Sequence, residues 1–125
     1  MKKFFSIITF LFSVSAFAQS SDGVINALKE GSANKFSSYF KGNIDLKLPQ
    51  DKDERKNVAK QDASSAVEGF FSSNGINGFD LTSQRELNGT MYITGKLKGS
   101  SNSFGLTVMM ETKGNEMSIV TVRIK

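Results

Sequence analysis

The 125-residue sequence contains no cysteine and no histidine, and these two absences exclude several classes of protein and site. Without cysteine, the chain has no disulfide to compensate for a small core and no residue to carry the lipid of a lipoprotein. Without histidine, it has no imidazole for general acid–base catalysis or for binding a metal. Zinc sites use mainly these two residue types. We therefore expect no catalytic, cofactor-binding or metal site built on them.

Long apolar runs are also scarce, and the one at the N-terminus has the layout of a secretory signal peptide. A basic start, Met1–Lys3, precedes an apolar run over Phe4–Val14 and the small-residue site Ala16–Ala18. The run is shorter than the ~20 apolar residues of a membrane anchor. The sequence predicts a signal peptide over residues 1–18, cleaved between Ala18 and Gln19. The mature domain, residues 19–125, is then periplasmic or secreted and has no membrane association after cleavage.

Positive charge is not concentrated in any part of the mature chain. The formal net charge is +4, but Lys2 and Lys3 belong to the predicted signal peptide, and the remaining 14 basic and 12 acidic side chains are interspersed. A nucleic-acid interface needs clustered Lys and Arg to displace counterions. The charge pattern therefore argues against a nucleic-acid partner.

The first third of the mature chain predicts two short helices followed by a strand. Apolar residues recur at helical spacing between a cap at Ser21 or Asp22 and Gly31. They recur again from Ser32 to Gly42, which stops the second helix. Residues Ile44–Leu48 then alternate apolar and polar, as a half-buried strand does.

The next segment predicts a polar connector and the longest helix. Gln50–Asn57 contains the charge run DKDERK, which lacks the ligand spacing and glycine of an EF-hand calcium loop and favours a solvated connector. Ala59–Ser73 has its apolar side chains at helical spacing and ends at Asn74-Gly75.

From residue 78 onward the apolar period is two, which predicts four strands. Tight-turn signals such as Asn88-Gly89 separate them. Because three turns join consecutive strands, the sequence predicts an antiparallel meander. The strands run over Phe79–Leu87, Met91–Leu97, Phe104–Met110 and Met117–Ile124.

The last two strands carry apolar side chains on both faces, and this pattern predicts a covered sheet. Such strands are usually buried on both sides, whereas the chain's own helices can cover one face. A second subunit could cover the other, through Met109, Val120 and Val122 or through their opposite-facing neighbours. The alternative is that these are isolated apolar side chains on an ordinary surface. We expect a homodimer through the sheet face.

The order of elements resembles the nuclear-transport-factor-2-like, or cystatin-like, α+β cone, over nearly the whole mature chain. More narrowly, the sequence is similar to a family of small exported bacterial proteins of unknown function. The segments that carry the likeness are SAFAQ, VINALKEGSANKFSSYF, NIDLKLP, the pair Phe70-Phe71, GFDL, MYITGKL and IVTVRIK. The resemblance implies a curved sheet with helices over its concave side and a cavity at the wide end.

Candidate pocket residues follow from this geometry, although each also has an ordinary packing role. The aromatic stripe is typical of a core. Arg85 shares the alternation of Phe79 and could meet an anionic ligand at the mouth of the cone, unless the strand is bulged or the guanidinium lies in water. The candidates are Phe36, Tyr39, Phe40, Phe70, Phe71, Arg85 and Tyr92.

Three functions remain open from sequence alone. The first is a non-catalytic binding module that holds a small apolar or anionic ligand in the cone or a protein partner on the sheet. The second is an isomerase- or dehydratase-like enzyme, as the resemblance allows, which needs an inward carboxylate base. The third is an assembly protein that acts by dimerisation. The carboxylates available for the second are Asp45, Glu68, Asp80, Glu86 and Glu111, and none has a clearly inward position.

Overall fold

The computed structural model describes residues 21–125, apart from the side chain of Lys113, and the predicted signal peptide with its cleavage site lies outside this range. Residues 21–30 form helix α1. The remaining elements are α2 (Ala33–Ser37), β1 (Phe40–Lys47), β2 (Arg55–Ala59), α3 (Lys60–Asn74), β3 (Gly78–Leu87), β4 (Thr90–Lys98), β5 (Ser103–Lys113) and β6 (Glu116–Ile124). The predicted α+β class is confirmed, with helices before a meander of four strands.

The strands in this range form one six-stranded sheet in the order β2-β1-β6-β5-β4-β3. The strands β3 to β6 are the predicted antiparallel meander. Strand β1 pairs in parallel with β6, which long crossovers permit. We call the face that packs against the helices the inner face and the opposite one the outer face. None of the helices in residues 21–125 has the length and hydrophobicity that a membrane-spanning helix requires.

The first difference from the sequence prediction is the end of the second helix. Helix α2 is capped by the Ser32 hydroxyl, which accepts a hydrogen bond from the Lys35 N–H at 3.2 Å, and it ends at Ser37 instead of continuing to Gly42. Phe40 begins β1 and pairs with Ile119. The Tyr39 carbonyl accepts a hydrogen bond from the Ile119 N–H at 2.8 Å. Pairing with β6 therefore overrides the local helical pattern.

The second difference is a sixth strand in part of the predicted connector. Strand β2 begins at Arg55 and pairs with β1, with Val58 opposite Ile44. The register shifts at Asp45, whose carboxylate accepts a hydrogen bond from the Asn57 N–H at 3.1 Å. Asn57 has a left-handed φ of 53°, a conformation that asparagine tolerates well. One side chain thus holds a bulge that pattern analysis did not indicate.

The core lies between the inner face and the helices. Its largest fully buried side chains come from all parts of the fold: Val24, Leu28, Phe36, Ile44, Leu46, Leu48, Ile93, Leu97, Leu106, Met110, Ile119 and Ile124. Helix α3 begins and ends within one residue of its predicted bounds. It is closed by Gly75 at a left-handed φ of 60°. The helices thus cover the inner face as predicted.

Strand β3 contains a bulge that changes which of its side chains face inward. Leu81 pairs with Gly95 and Ser83 pairs with Thr94, so β3 advances two residues while β4 advances one. A one-residue shift moves every later side chain to the other face. Arg85 consequently pairs with Tyr92 on the outer face, although simple alternation predicted it beside Phe79.

Candidate functional site

Three of the predicted pocket aromatics form one buried cluster. Phe36, Phe40 and Phe71 are buried. The ring of Phe36 meets that of Phe40 edge-on, with 5.4 Å between centroids, and lies nearly parallel to that of Phe71 at 6.3 Å. These geometries are favourable for aromatic pairs. The cluster joins α2, α3 and β1 as part of the packed core.

The two tyrosines and Arg85 lie apart from this cluster. The half-buried Tyr39 places its hydroxyl against Gly23 of α1, where a Cβ would collide with it. Tyr92 is half-buried on the outer face, between Arg85 and Met109 in register, and Arg85 itself is exposed. The structure therefore does not bring the seven predicted residues together.

None of the five candidate carboxylates enters the inner core. Asp45 is on the outer face with its side chain 33% exposed and lies 3.5 Å from the Lys56 ammonium. Asp80 is 69% exposed and pairs with Lys98 at 2.9 Å. The other three, Glu68, Glu86 and Glu111, are exposed. An isomerase-like reaction needs a carboxylate base in a dry pocket, and these five side chains do not supply one.

A cleft lies between α3, the loop after β1 and the start of β5. Its volume is about 640 Å³. We call it the α3 cleft and define it by the lining residues Leu48, Gln50, Arg55, Gly69, Phe70 and Phe104. Of the predicted residues, Phe70 takes part in it.

The floor of the α3 cleft is apolar. Phe70 is buried, and its ring meets that of the half-buried Phe104 edge-on with 5.0 Å between centroids. Leu48, the residue after β1, and Ala66 of α3 extend this apolar surface. The floor therefore suits an aromatic or aliphatic group, because removing apolar surface from water is favourable.

The rim of the cleft holds a fixed arginine. Asp51 binds the Arg55 side chain through two hydrogen bonds, from Nε at 3.0 Å and from Nη2 at 2.8 Å. The same carboxylate accepts a hydrogen bond from the Leu48 N–H at 3.0 Å, and the Lys47 ammonium donates to the Asp51 carbonyl at 3.1 Å. Asp51 thus fixes both the loop and the guanidinium.

Two acids of the charge run have lowered pKa values for similar reasons. The hydrogen bond from Arg55 is the main cause that lowers the pKa of Asp51, with the Leu48 N–H assisting against partial burial. Arg123 and then Lys56 lower the pKa of Glu54, whose carboxylate lies 2.7 Å from Arg123 and 2.9 Å from Lys56. Both acids are therefore engaged by bases. Among the described residues, no acidic cluster is arranged to hold a metal ion.

Of the six residues that define the α3 cleft, sequence reasoning named only Phe70 as a pocket candidate, and three of the others show why. Arg55 was hidden because the charges of its run cancel. Phe104 matched the inward alternation of its strand, and nothing in the pattern indicated that its ring is partly exposed. Gly69 did carry a signal, since a glycine inside a helix weakens it and usually has a packing or functional reason.

Comparisons with known proteins identify a family and a fold. The family model described as a domain of unknown function, DUF4783, matches residues 21–125. A DUF4783 family protein from Bacteroides ovatus is 27% identical, with a TM-score of 0.73, covering 82% of this chain and 90% of that one. A second, from Bacteroides fragilis, is 24% identical, with a TM-score of 0.72, covering 82% and 93%.

A more distant structure supports the fold alone. An uncharacterised cystatin-fold protein from Novosphingobium aromaticivorans is 11% identical, with a TM-score of 0.62, covering 86% of this chain and 95% of that one. The predicted nuclear-transport-factor-2-like, or cystatin-like, architecture is thereby confirmed. No curated protein matches the chain.

Proposed function

The chain belongs to the DUF4783 family, whose function is unknown, and we propose that it is a non-catalytic binding module that holds a small ligand in the α3 cleft. The proposal depends on two features of a cleft of about 640 Å³: its floor is aromatic, and Gly69 places no side chain into it from α3. Ligand sites in proteins are typically apolar clefts of roughly 300–1,000 Å³ with a few fixed polar groups.

Gly69 supports a binding role because packing does not require it. A Cβ built at this position meets no other atom within 4 Å, so alanine would fit without any rearrangement. In the middle of a helix, glycine is less stable than alanine by about 0.5–1 kcal/mol. The chain therefore gives up stability at a position whose empty space belongs to the cleft.

Filling the cleft from Gly69 is expected to abolish ligand binding. In Gly69→Leu the side chain would project over the Phe70–Phe104 floor and occupy the space of the ligand. The measurement is a titration of small aromatic and aliphatic compounds, followed through the amide NMR signals of the lining residues. Gln61→Leu is the matched control, because Gln61 is also exposed on α3 but lies outside the cleft lining.

The stability of Gly69→Ala tests whether glycine at this position costs the helix stability. We expect its free energy of unfolding to be higher by about 0.5–1 kcal/mol, so that it unfolds at a higher denaturant concentration. Binding that is unchanged in Gly69→Leu, or equally lost in Gln61→Leu, would contradict the proposed site.

Export is part of the proposal and is supported by the three-part signal pattern of residues 1–18. The domain would then meet its ligand outside the cytoplasm. The intact mass of the protein isolated from its native host tests this: a chain beginning at Gln19 is expected, and an uncleaved chain would refute it.

A second candidate function is self-association through the outer face, and one exposed residue favours it. Leu87 lies on this face with 57% of its surface exposed, near the half-buried Met109 and Tyr92. Val120 is half-buried beside a register shift, whereas Val122 faces the core and cannot contribute.

Charge placed on the outer face tests self-association. If the chain dimerises there, Met109→Lys should shift its sedimentation from dimer to monomer, because an unpaired charge is costly to bury. Gln61→Lys, which adds the same charge at an exposed residue of α3 on the helix side of the sheet, is the control. A wild-type chain that sediments as a monomer at all accessible concentrations would rule this candidate out.

A further inference from the structure

We infer that the α3 cleft selects ligands that combine an apolar ring or chain with a carboxylate, and that Arg55 is the residue that recognises the carboxylate. The inference rests on the proposed function and names the chemical class of its ligand. It depends on one juxtaposition: a pre-oriented guanidinium at the rim of a cleft whose floor is made of aromatic edges and faces.

The charge of the lining favours an anion. Arg55 is the one charged residue among those that line the cleft; its other polar members are neutral, including Gln50 and Asn74. No acid in the lining opposes a negatively charged group. The neighbouring acid Glu54 already pairs with Lys56 and Arg123. It therefore competes little with a ligand carboxylate for Arg55.

The orientation of Arg55 reduces the cost of binding. A free arginine loses side-chain freedom when it binds, whereas Asp51 already holds this guanidinium through Nε and Nη2. Asp51 is a suitable support because its side chain is only 12% exposed, while that of Arg55 is 44% exposed. The guanidinium carries five N–H donors, so donors remain for a second carboxylate after these two bonds.

The ion pair with Asp51 does not cancel the preference for an anion. The Lys47 ammonium bonds to the Asp51 carbonyl and adds a second positive charge to the same loop. The three side chains Lys47, Asp51 and Arg55 together carry two positive charges and one negative charge. A ligand carboxylate at Arg55 would form charge-assisted hydrogen bonds, which are stronger than neutral ones.

Two probes of nearly equal shape test the inference: 2-naphthoate and its uncharged carboxamide, 2-naphthamide. We expect the protein to bind the carboxylate about tenfold more tightly than the amide, the typical gain of a charged over a neutral hydrogen bond. Raising the ionic strength from about 0.05 to about 0.5 M should weaken the binding of the carboxylate and leave the affinity for the amide unchanged, because salt screens partly exposed charges.

Variants at the rim assign the preference to Arg55. In Arg55→Met the two probes should bind within about twofold of one another, with the amide affinity retained. Arg55→Met removes the ion-pair partner of Asp51, so a second variant is needed. The double variant Asp51→Asn, Arg55→Gln keeps a neutral hydrogen-bonding pair and should also lose the preference for the carboxylate. Arg55→Lys should retain part of the preference as a point charge.

The outcomes separate this inference from the proposed function. Equal affinities for both probes, both abolished by Gly69→Leu, would overturn the carboxylate class and leave the cleft as a binding site. A carboxylate preference that survives both rim variants would also overturn the role of Arg55. If neither probe binds, or if Gly69→Leu changes nothing, both proposals fail.

Discussion

Replacing Phe36 by alanine is expected to lower the free energy of unfolding by about 3–5 kcal/mol, the usual cost of removing a buried phenylalanine. Phe36 is fully buried, and its ring contacts those of Phe40 and Phe71. Helix α2 has five residues, too few to be stable without tertiary contacts. The loss should therefore include the docking of α2 as well as the cavity left by the ring.

Urea denaturation followed by far-UV circular dichroism measures this effect, since the chain has no tryptophan to report on its core. Phe36→Leu conserves most of the volume and should cost less than about 1.5 kcal/mol. Gln61→Ala, at an exposed position of α3, is the surface control and should change stability by about 0.5 kcal/mol or less.

The size of the Phe36 effect also decides between core and pocket. A residue that lines an open pocket touches water on one side, so its truncation costs little stability and mainly alters binding. A loss below about 1 kcal/mol would mean that the aromatic stripe borders a void rather than the packed cluster described here.

Local pattern was sufficient to predict most elements of this fold. Helix α3 follows from helical spacing and from a glycine at its end, both of which are encoded within a few residues. The meander follows from a period of two interrupted by turn residues. Both signals depend on the nearest neighbours in sequence, and the structure agrees with them to within a few residues.

Pairing between distant segments could not be predicted in the same way. Strand β2 exists because Val58 lies opposite Ile44 and because Asp45 holds the bulge at Asn57. Its own sequence, rich in charge, does not resemble a strand. The early end of α2 likewise depends on Ile119, which is about eighty residues away in the chain.

The candidate site was the least predictable part for the same reason. The α3 cleft joins a helix, a loop and a strand start, and none of these segments shows alone that the others are near. Arg85 was chosen because its alternation matched Phe79, and the bulge after Leu81 reversed that match. Arg55, by contrast, is held at the cleft by its hydrogen bonds to Asp51. Both residues belong to a run whose charges cancel, so the sequence pattern did not single them out.

Gly95→Ala is expected to lower the free energy of unfolding by about 2–3 kcal/mol, near the upper end for an overpacked site. A Cβ at Gly95 would overlap the Asp80 carbonyl oxygen and would lie 2.5 Å from Cζ of Phe79. The first is backbone and the second belongs to a buried ring, so neither can move without disturbing the paired strand.

Gly95 has this role because it lies opposite the β3 bulge. Leu81 pairs with Gly95 just before the register shifts, and the Phe79 ring covers the space that a side chain would take. Glycine at such a place lets a sheet bend while an aromatic ring shields its backbone. Alanine should therefore strain the pairing of β3 with β4 at this point.

Gly105→Ala is the matched control in the next strand, since Gly105 pairs with Lys96 beside Gly95. A Cβ there meets only Lys125 atoms at 3.7 and 3.8 Å, an ordinary contact distance. We expect a change of about 0.5 kcal/mol or less, or a slight gain from reduced freedom of the unfolded chain. Equal effects of the two alanines in urea denaturation would show that the cost reflects loss of glycine in a strand. A large loss at Gly95 alone would instead identify the close approach of Phe79 and Asp80 as its cause.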